Sequence, residues 1–484
     1  MLLSELFKDI PEAERRGDIE VLDITHDSRQ IQPGWLFAAM RGTTTDGHLY
    51  AKAAKAAGAS ALLVEHWLDL DLPQIKVASV RAQVGTIASK LHNFPSKDLK
   101  IVGITGTNGK TTTAFLLEKA FKQMGWTTGL IGTIETRIGD KKEPSLFTTP
   151  EASDLQRILE RMVKEQVRVV SIEVSSHGLD QHRLDGTKFE VSVFTNLTPE
   201  HLDYHGTIEH YYATKALLFT PELTKSAVIC VDDDWGKRLA YQTKVPLITF
   251  GLYPGADVRV EIISSDLSGS VIHIFGQDLD HKIKTPLIGK FNAINITGAF
   301  LAALKMGVDP EVAIEGMSNC RDIPGRFELV DKGQPFLIIV DYAHTPNALR
   351  GLIETVKSLK GPQGKIYVVV GSRGGRDRLK RQDTGRAAAT ADIVVFTSDN
   401  PGPEDPSKII AEMKVGTLDI FPDNLVVELD RRKAITFAIQ DAKAGDVILI
   451  VGRGHEKVQH LKDRSVSFDD RKVAVEALAS LGYE

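Results

Sequence analysis

Cysteine is nearly absent from this chain of 484 residues, which has only Cys230 and Cys320. The two stand apart, without a C-x-x-C pair or the ligand spacing of a zinc site. The sequence therefore predicts two ordinary buried or half-buried thiols and gives little support to a disulfide or metal role. So few cysteines fit a reducing compartment, and we expect a cytoplasmic location.

Long apolar runs and a basic excess are also missing. No stretch approaches the roughly 18 apolar residues that a membrane-spanning helix needs. The beginning, MLLSELFKDIPEAERRGD, carries charge early and has no apolar signal core. With 59 Lys and Arg against 64 Asp and Glu, the net charge is -5. These absences disfavour membrane insertion, and they disfavour nucleic acid as the main partner.

The length suggests about three domains at a prior of about 150 residues each. Hydrophobic residues make up 42% and charged residues 25%, the balance of an ordinary globular protein. Proline-containing breaks occur at 94–98 (FPSKD) and 322–326 (DIPGR). We therefore predict domains over residues 1–97, 98–328 and 329–484.

The three parts alternate apolar runs with helical patterns, which indicates an α/β fold throughout. The first reads as a small α/β domain. In the second, KIVGIT (100–105), VRVVSIEV (167–174), VSVFTNL (191–197), AVICVD and PLITFG read as strands of a parallel sheet. In the third, FLIIVDYA, KIYVVVG, DIVVFTSD and DVILIVG alternate with helices, which predicts a Rossmann-like doubly wound sheet.

A glycine-rich loop follows the strand at 100–105 and precedes the helical pattern AFLLEKAFKQMG. In GTNGKTTT, glycines would let backbone N–H groups surround phosphate oxygens, and the helix N-terminus adds a favourable dipole. Lys110 could reach the β and γ phosphates, and the Thr111 hydroxyl could ligate Mg²⁺. Gly103 stands one residue too far from Gly109 for the common spacing, so a plain glycine turn is the alternative.

Acidic and histidine side chains cluster after two of the predicted strands. Glu173 stands near the end of VRVVSIEV, where a magnesium ligand is expected, although a solvated carboxylate is equally consistent with that segment. SSHGLDQHR (175–183) and NLTPEHLDYHG (196–206) follow, and parallel strands bring such loops to one crevice. Without cysteine partners or an H-x-x-x-H pattern, zinc is disfavoured and Mg²⁺ with oxygen ligands fits better. Lys215, on the amphipathic segment HYYATKALLF, reads as a solvated lysine.

Together, GTNGKTTT, EVSSHGL, HLDYHG, TKALLF and DYAHTPNAL make the chain resemble the muramyl ligases over nearly its whole length. The N-terminal DSRQIQPG, LF and DGH resemble that family's uridine-nucleotide domain. TTPE, EVSSHGLDQHR and HLDYHG are similar to the branch that adds the third residue of the stem peptide. The resemblance implies a UDP-sugar-binding domain, an ATP-binding domain and an amino-acid-binding domain, in that order, in a protein that is usually a monomer.

The activity that the resemblance implies is an ATP- and Mg²⁺-dependent, ADP-forming ligase of peptidoglycan synthesis. It would join a diamino acid to UDP-N-acetylmuramoyl-L-alanyl-D-glutamate through an acyl phosphate. Other readings are a terminal-dipeptide ligase, a folylpolyglutamate synthase or a phosphate-loop ATPase that forms no bond. The N-terminal motifs argue against the folate enzyme, and the polar sets near Glu173, His201 and Asp341 argue against the ATPase.

The resemblance also implies roles for individual residues. The catalytic positions would be Lys110, Glu173, His201 and Lys215, and the metal ligands Thr111, Glu173, His201 and a carbamylated Lys215. ATP would contact Gly106, Thr107, Asn108, Gly109, Lys110, Thr111, Thr112, Asn292, Asn295, Arg326 and Asp341. The uridine would lie at Ser28, the muramoyl part at Thr148 and Thr149, the sugar and peptide at Ser175, Gln181 and Arg183, and the amino acid at Arg376, Asp399, Asn400, Gly452 and Glu456.

One loop departs from the family pattern. Diaminopimelate-adding members carry D-N-P-R, with the arginine on the far carboxylate, whereas this chain reads DNPG at 399–402. Gly402 cannot make that charge-assisted pair. Its loss costs about 2–5 kcal/mol unless Arg373, Arg378 or Arg453 replaces it. We expect a diamino acid, of L-lysine or L-ornithine type or meso-diaminopimelate, and Gly402 favours the first type.

Overall fold

The computed structural model describes residues 1–10, 12–42, 45–321, 323–418 and 424–483. Within them, three sheets of five, eleven and six strands follow one another along the chain, with a two-stranded ribbon near the end. The predicted three-part α/β architecture is confirmed. The domain boundaries stay predictions, and Asp322 and Glu484, which fall at predicted limits, lie outside the described residues. None of the helices described is long and apolar enough to cross a membrane.

The N-terminal sheet has the order β1-β5-β4-β3-β2, and only β1 runs antiparallel to its neighbour. Helix α3 begins after Ser79, whose hydroxyl accepts from the Ala82 N–H at 3.3 Å, and it packs Val84 and Ile87 on the sheet. The elements are α1 (Leu3–Leu6), β1 (Glu14–Arg16), β2 (Asp23–Thr25), β3 (Trp35–Ala38), a 3-10 helix (Gly47–Tyr50), α2 (Ala51–Ala56), β4 (Ala61–Val64), β5 (Gln74–Lys76), α3 (Val80–Leu91) and a 3-10 helix (Pro95–Lys97).

The central sheet has a parallel core in the order β14-β13-β12-β11-β6-β10-β7, extended by the antiparallel strands β15 and β16 at one edge and β8 and β9 at the other. The sequence did not predict β14 or these antiparallel strands. Its strands are β6 (Lys100–Thr105), β7 (Thr128–Ile131), β8 (Glu135–Ile138), β9 (Lys141–Pro144), β10 (Val169–Glu173), β11 (Val191–Phe194), β12 (Ala227–Cys230), β13 (Leu247–Gly251), β14 (Val258–Asp266), β15 (Gly269–Gly276) and β16 (Leu279–Thr285). Because β10, β6 and β11 are parallel neighbours, the loops after them meet at one edge.

Helices cover both faces of this sheet. Leu116 of α4 and Phe300 of α10 belong to the core on one face, and Leu155 and Leu159 of α5 to the core on the other. Both Cys230 and Cys320 are buried, as predicted. The helices are α4 (Lys110–Gln123), α5 (Ala152–Lys164), α6 (Ser176–Asp180), α7 (Leu202–His205), α8 (Ile208–Ala216), a 3-10 helix (Leu217–Phe219), α9 (Asp234–Gln242), α10 (Lys290–Lys305) and α11 (Pro310–Ser318).

The C-terminal sheet has the order β17-β18-β22-β19-β20-β21, parallel except for β17, with helices on both faces as predicted for a doubly wound domain. Strand β17 starts at Glu328, within the predicted central range. The elements are β17 (Glu328–Leu329), β18 (Leu337–Asp341), α12 (Pro346–Lys357), β19 (Ile366–Val370), α13 (Lys380–Ala388), β20 (Ile393–Phe396), α14 (Pro406–Lys414), a 3-10 helix (Val415–Thr417), β21 (Leu425–Val427), α15 (Arg431–Asp441), β22 (Val447–Val451), β23 (Val458–His460), β24 (Ser465–Ser467) and α16 (Asp470–Ser480).

Candidate functional site

A cleft of about 1270 Å³ lies where the carboxyl ends of β6, β10 and β11 face the C-terminal sheet. Ligands of open parallel sheets bind at this edge. Most residues predicted for ATP line the cleft, and Gly106 lies directly behind it. The lining includes Thr107, Asn108, Gly109, Lys110, Thr111, Thr112, Asn292, Asn295, Arg326 and Asp341.

The glycine loop between β6 and α4 is shaped by close neighbours. Gly109 has φ 94°, and a Cβ there would overlap the Asn295 side-chain oxygen. Gly106 has φ 145°, and a Cβ there would overlap the Thr195 hydroxyl. Only glycine fits both positions without strain. Helix α4 then begins at Lys110, so the loop presents backbone N–H groups and a helix N-terminus to the cleft.

Two lysine ammonium groups converge behind this loop. Lys110 Nζ donates to the backbone oxygens of Gly106 at 2.8 Å and Thr107 at 3.0 Å, and Lys215 Nζ donates to the same Gly106 oxygen at 3.1 Å. Burial lowers the pKa of Lys110, although Glu200 and Glu173 partly offset this. Burial, and then the charge of Lys110, hold the pKa of Lys215 well below its usual range.

The prediction of a solvated Lys215 is wrong, because the residue is only 1% exposed. Its position on an amphipathic helix does not reveal that α8 packs this face against the glycine loop. No carboxylate of the described residues lies within 4.0 Å of its ammonium group. A buried amine without an anionic partner is a poor place for a fixed positive charge.

Glu173 is the centre of an oxygen-rich group. Its carboxylate accepts from the Thr111 hydroxyl at 2.9 Å, the Thr133 N–H at 3.0 Å and the Thr133 hydroxyl at 3.0 Å. Arg326 donates to the Thr111 hydroxyl at 3.2 Å. The described residues contain no cluster of three His, Cys, Asp or Glu side chains that could hold a metal alone. A hard cation here would need hydroxyl, water and phosphate oxygens as well, which is how Mg²⁺ is usually bound.

His201 lines the same cleft and has a left-handed backbone conformation, φ 56°. Its ring stands edge-on to His177 at 4.8 Å between centroids. Burial lowers the pKa of His201 to about 3 and also lowers that of His177. Both rings are therefore neutral near pH 7, and a neutral imidazole has a lone pair for a cation.

Glu200 is a site residue that the sequence reasoning missed. Its side chain is 4% exposed, and its carboxylate accepts from His344 Nε2 at 2.8 Å and lies 3.9 Å from Lys380 Nζ. Burial works against ionisation, yet His344 above all holds the pKa of Glu200 well below its usual range. The available signal was that Glu200 lies inside the histidine-rich segment 196–206, which the sequence had already placed near the site. The partners could not be foreseen, because they belong to the C-terminal domain.

Of the residues predicted to bind the sugar and peptide, some line the cleft, and others hold the residues that line it. Thr148 and Ser175 line the cleft, whereas the buried Thr149 hydroxyl donates to the Glu173 backbone oxygen at 2.8 Å. Arg183 donates to the Thr149 backbone oxygen at 2.9 Å. It also donates to the Gln181 side-chain oxygen at 2.7 Å. Ser28 lies away from this cleft, in the turn after β2.

Of the residues predicted to bind the amino acid, some likewise line the cleft, and others lie behind it. Arg376 and Glu456 line the cleft. Asn400 lies behind and donates from Nδ2 to Glu456 Oε2 at 2.8 Å. Gly452 has φ 103°, and a Cβ there would lie 2.7 Å from Asp399 Oδ2. The backing residues fix the shape of the pocket, and the lining residues present its charges.

A glycine loop, a lysine and a helix N-terminus at the end of a parallel strand define a phosphate-loop domain. Three profiles of one family match the chain. Residues 20–94 match "Mur ligase family, catalytic domain", residues 104–303 "Mur ligase middle domain", and residues 325–454 "Mur ligase, glutamate ligase domain".

Individual relatives match over nearly the full length. A UDP-N-acetylmuramoyl-L-alanyl-D-glutamate--2,6-diaminopimelate ligase of Geobacillus thermodenitrificans is 41% identical over 468 residues, 95% of each chain. The protein of that name from Aquifex aeolicus is 41% identical over 463 residues, 96% of this chain and 94% of its own. A solved structure of a ligase with this name has a TM-score of 0.67 at 32% identity, covering 96% of each chain. This chain belongs to the Mur ligase family.

We expect Gly109→Ala to weaken ATP binding by about tenfold or more, because the new methyl group would overlap Asn295 and strain the left-handed backbone. Titration calorimetry with ATP measures the effect. Gly125→Ala is the matched control, since Gly125 has φ 76° just beyond the other end of α4 and no atom within 4 Å of its Cβ position. Equal ATP affinity in the two variants would contradict the role of this loop.

Proposed function

We propose that this chain is an ATP-dependent, cytoplasmic ligase that joins a diamino acid to UDP-N-acetylmuramoyl-L-alanyl-D-glutamate. The observation that carries the proposal is the arrangement across the cleft. The glycine loop, Lys110 and Glu173 lie on the central side, and Arg376 and Glu456 face them from the C-terminal side. The names of the relatives supply the nucleotide substrate.

The first step that this arrangement supports is phosphoryl transfer to a substrate carboxylate. Lys110 would release the loop carbonyls and bind the β and γ phosphates, with the α4 N-terminus adding backbone donors. Arg326, which already reaches the Thr111 hydroxyl, would stabilise the developing charge. The carboxylate attacks the γ-phosphorus, ADP leaves, and an acyl phosphate remains.

Thr111, Glu173, His201 and a carbamylated Lys215 would hold Mg²⁺, which when bound supplies charge stabilisation to the transferring phosphoryl group. The proposal that Lys215 is carbamylated rests on its surroundings. The Nζ atoms of Lys110 and Lys215 share the Gly106 backbone oxygen, and burial lowers the pKa of Lys215, which favours its neutral amine. Reaction of that amine with carbon dioxide makes a carbamate and releases a proton, so the lysine becomes an anionic oxygen ligand.

The second step joins the amino acid. Its neutral amine attacks the acyl carbon, and the bond from that carbon to the bridging oxygen breaks. Phosphate leaves with that oxygen and its electron pair, and the nitrogen loses a proton. Water would compete for the same carbon, so the cleft must be closed around the intermediate. The contact between Glu200 and His344 and the 3.5 Å hydrogen bond from Asn108 to Thr345 join the two domains across the cleft.

The proposal is tested by phosphate release from ATP with UDP-N-acetylmuramoyl-L-alanyl-D-glutamate and meso-diaminopimelate, L-lysine or L-ornithine in separate reactions. We expect release only when the nucleotide substrate and one diamino acid are both present, because each step needs the product of the one before. The matched control omits the amino acid. Release that depends on neither substrate would identify an ATPase, and release only with D-alanyl-D-alanine and the tripeptide nucleotide would identify the terminal-dipeptide step.

We expect Lys215→Ala to lower kcat by roughly 100-fold, as for the loss of one group that stabilises transition-state charge. Added formate, acetate or propionate should restore part of the activity, because a small carboxylate can take the place of the carbamate. Lys237→Ala, which removes an exposed lysine of α9, is the control. If carboxylates do not restore activity and mass spectrometry finds Lys215 unmodified in bicarbonate buffer, the carbamate is wrong.

A further inference from the structure

The C-terminal wall of the cleft carries a fixed pair of opposite charges. The guanidinium of Arg373 contacts Glu456 Oε1 directly, while the other Glu456 oxygen accepts from Asn400 Nδ2 at 2.8 Å. The Arg373 side chain is 30% exposed and that of Glu456 19%, and both line the cleft. A guanidinium beside a carboxylate is complementary to one kind of ligand group, an ammonium beside a carboxylate on the same carbon.

We place this charged pair at the far end of the amino-acid pocket, because the neighbouring Arg376 is the residue that reaches the central domain. Arg376, three residues further along the same loop, is close enough to the central domain to lower the pKa of His177, after the larger effects of burial and Arg183. The next residue, Asp377, donates its N–H to Asp203 Oδ2 at 3.3 Å. Arg376 therefore faces the reaction end of the pocket.

The other arginines near this end cannot serve a ligand. Arg453 is fully buried, and its guanidinium donates to the Asn400 side chain at 3.2 Å and to three backbone oxygens. The Arg378 side chain is 64% exposed and pairs with Glu412 at 2.6 Å, outside the cleft lining. Of the three cations that could replace a side chain at 402, Arg373 alone lines the cleft.

The backbone around Arg373 is held against the loop that contains Gly402. The Gly374 N–H donates to the Asn400 backbone oxygen at 3.0 Å, and the buried Arg381 donates to the Arg373 backbone oxygen at 3.1 Å. The guanidinium therefore projects from a fixed position beside residues 400–402. Asp399 Oδ1, 3.8 Å from Arg373 Nε, limits its movement further.

We propose that Arg373 determines specificity for diaminopimelate by binding the carboxylate at the far end of the amino acid, while Glu456 binds the ammonium group on the same carbon. The inference rests on the proposed function and reverses the preference drawn from Gly402. A second carboxylate on the ligand needs a cation as its partner in this pocket, and Arg373 supplies it. The relatives at 41% identity are named for 2,6-diaminopimelate.

The test is a double-mutant cycle between protein and substrate, because L-lysine is diaminopimelate without the far carboxylate. We compare kcat/KM for meso-diaminopimelate and L-lysine in the wild type and in Arg373→Gln. The wild type should prefer diaminopimelate by about 30-fold or more, the usual loss when one partner of a buried charge pair is removed. In Arg373→Gln that ratio should collapse, while the ratio in Arg378→Gln should stay within about twofold of the wild type.

A relocated arginine gives a second measurement. A Cβ at Gly402 meets no atom within 4 Å, so Gly402→Arg can place a guanidinium in the pocket despite its left-handed backbone. In the Arg373→Gln background it should raise the diaminopimelate to L-lysine ratio again. Wild-type preference for L-lysine, or an unchanged ratio in Arg373→Gln, would overturn the inference and leave the ligase intact. Failure of every diamino acid would overturn the proposed function instead.

Discussion

The carboxylate of Glu200 is the anion around which the two large domains meet. It comes from the central domain, is almost fully buried, and bonds to His344 from the C-terminal domain at 2.8 Å. His344 Nδ1 also lies 2.9 Å from the Tyr342 backbone oxygen, so both ring nitrogens are held by neighbouring oxygens. If this pair separated, a buried charge would lose its partner, which costs about 3–5 kcal/mol. The cleft geometry depends on this contact.

Positive charge in the cleft is concentrated where phosphate oxygens would lie. Lys110, Lys215 and Arg326 stand around the glycine loop, and the nearby carboxylates are those of Glu173, Glu200 and Asp341. Burial makes each unpaired cation costly, which is why the pKa of both lysines is lowered. A bound nucleotide would give these cations anionic partners. The conversion of Lys215 to a carbamate would replace one of the cations by an anion.

The predictable part of the structure was local. A strand, a glycine loop and a helix are contiguous at 100–123, so their pattern sufficed, and the doubly wound C-terminal sheet followed from repeated alternation. Contacts between domains could not be predicted from the sequence, because their partners, such as Glu200 and His344, are far apart along the chain. Lys215 was misread because amphipathicity does not reveal what a helix face packs against. The edge strands β14–β16 were missed because their alternation is weak where both faces are partly exposed.

The central claim is that a carboxylate of the nucleotide substrate becomes an acyl phosphate in this cleft. The most direct measurement uses UDP-N-acetylmuramoyl-L-alanyl-D-glutamate whose glutamate carboxylates carry a heavy oxygen isotope. In the presence of ATP and a diamino acid, mass spectrometry of the released inorganic phosphate should find one labelled oxygen per turnover, because the oxygen that attacks phosphorus leaves with it. Phosphate that forms at the same rate but carries no label would contradict the account.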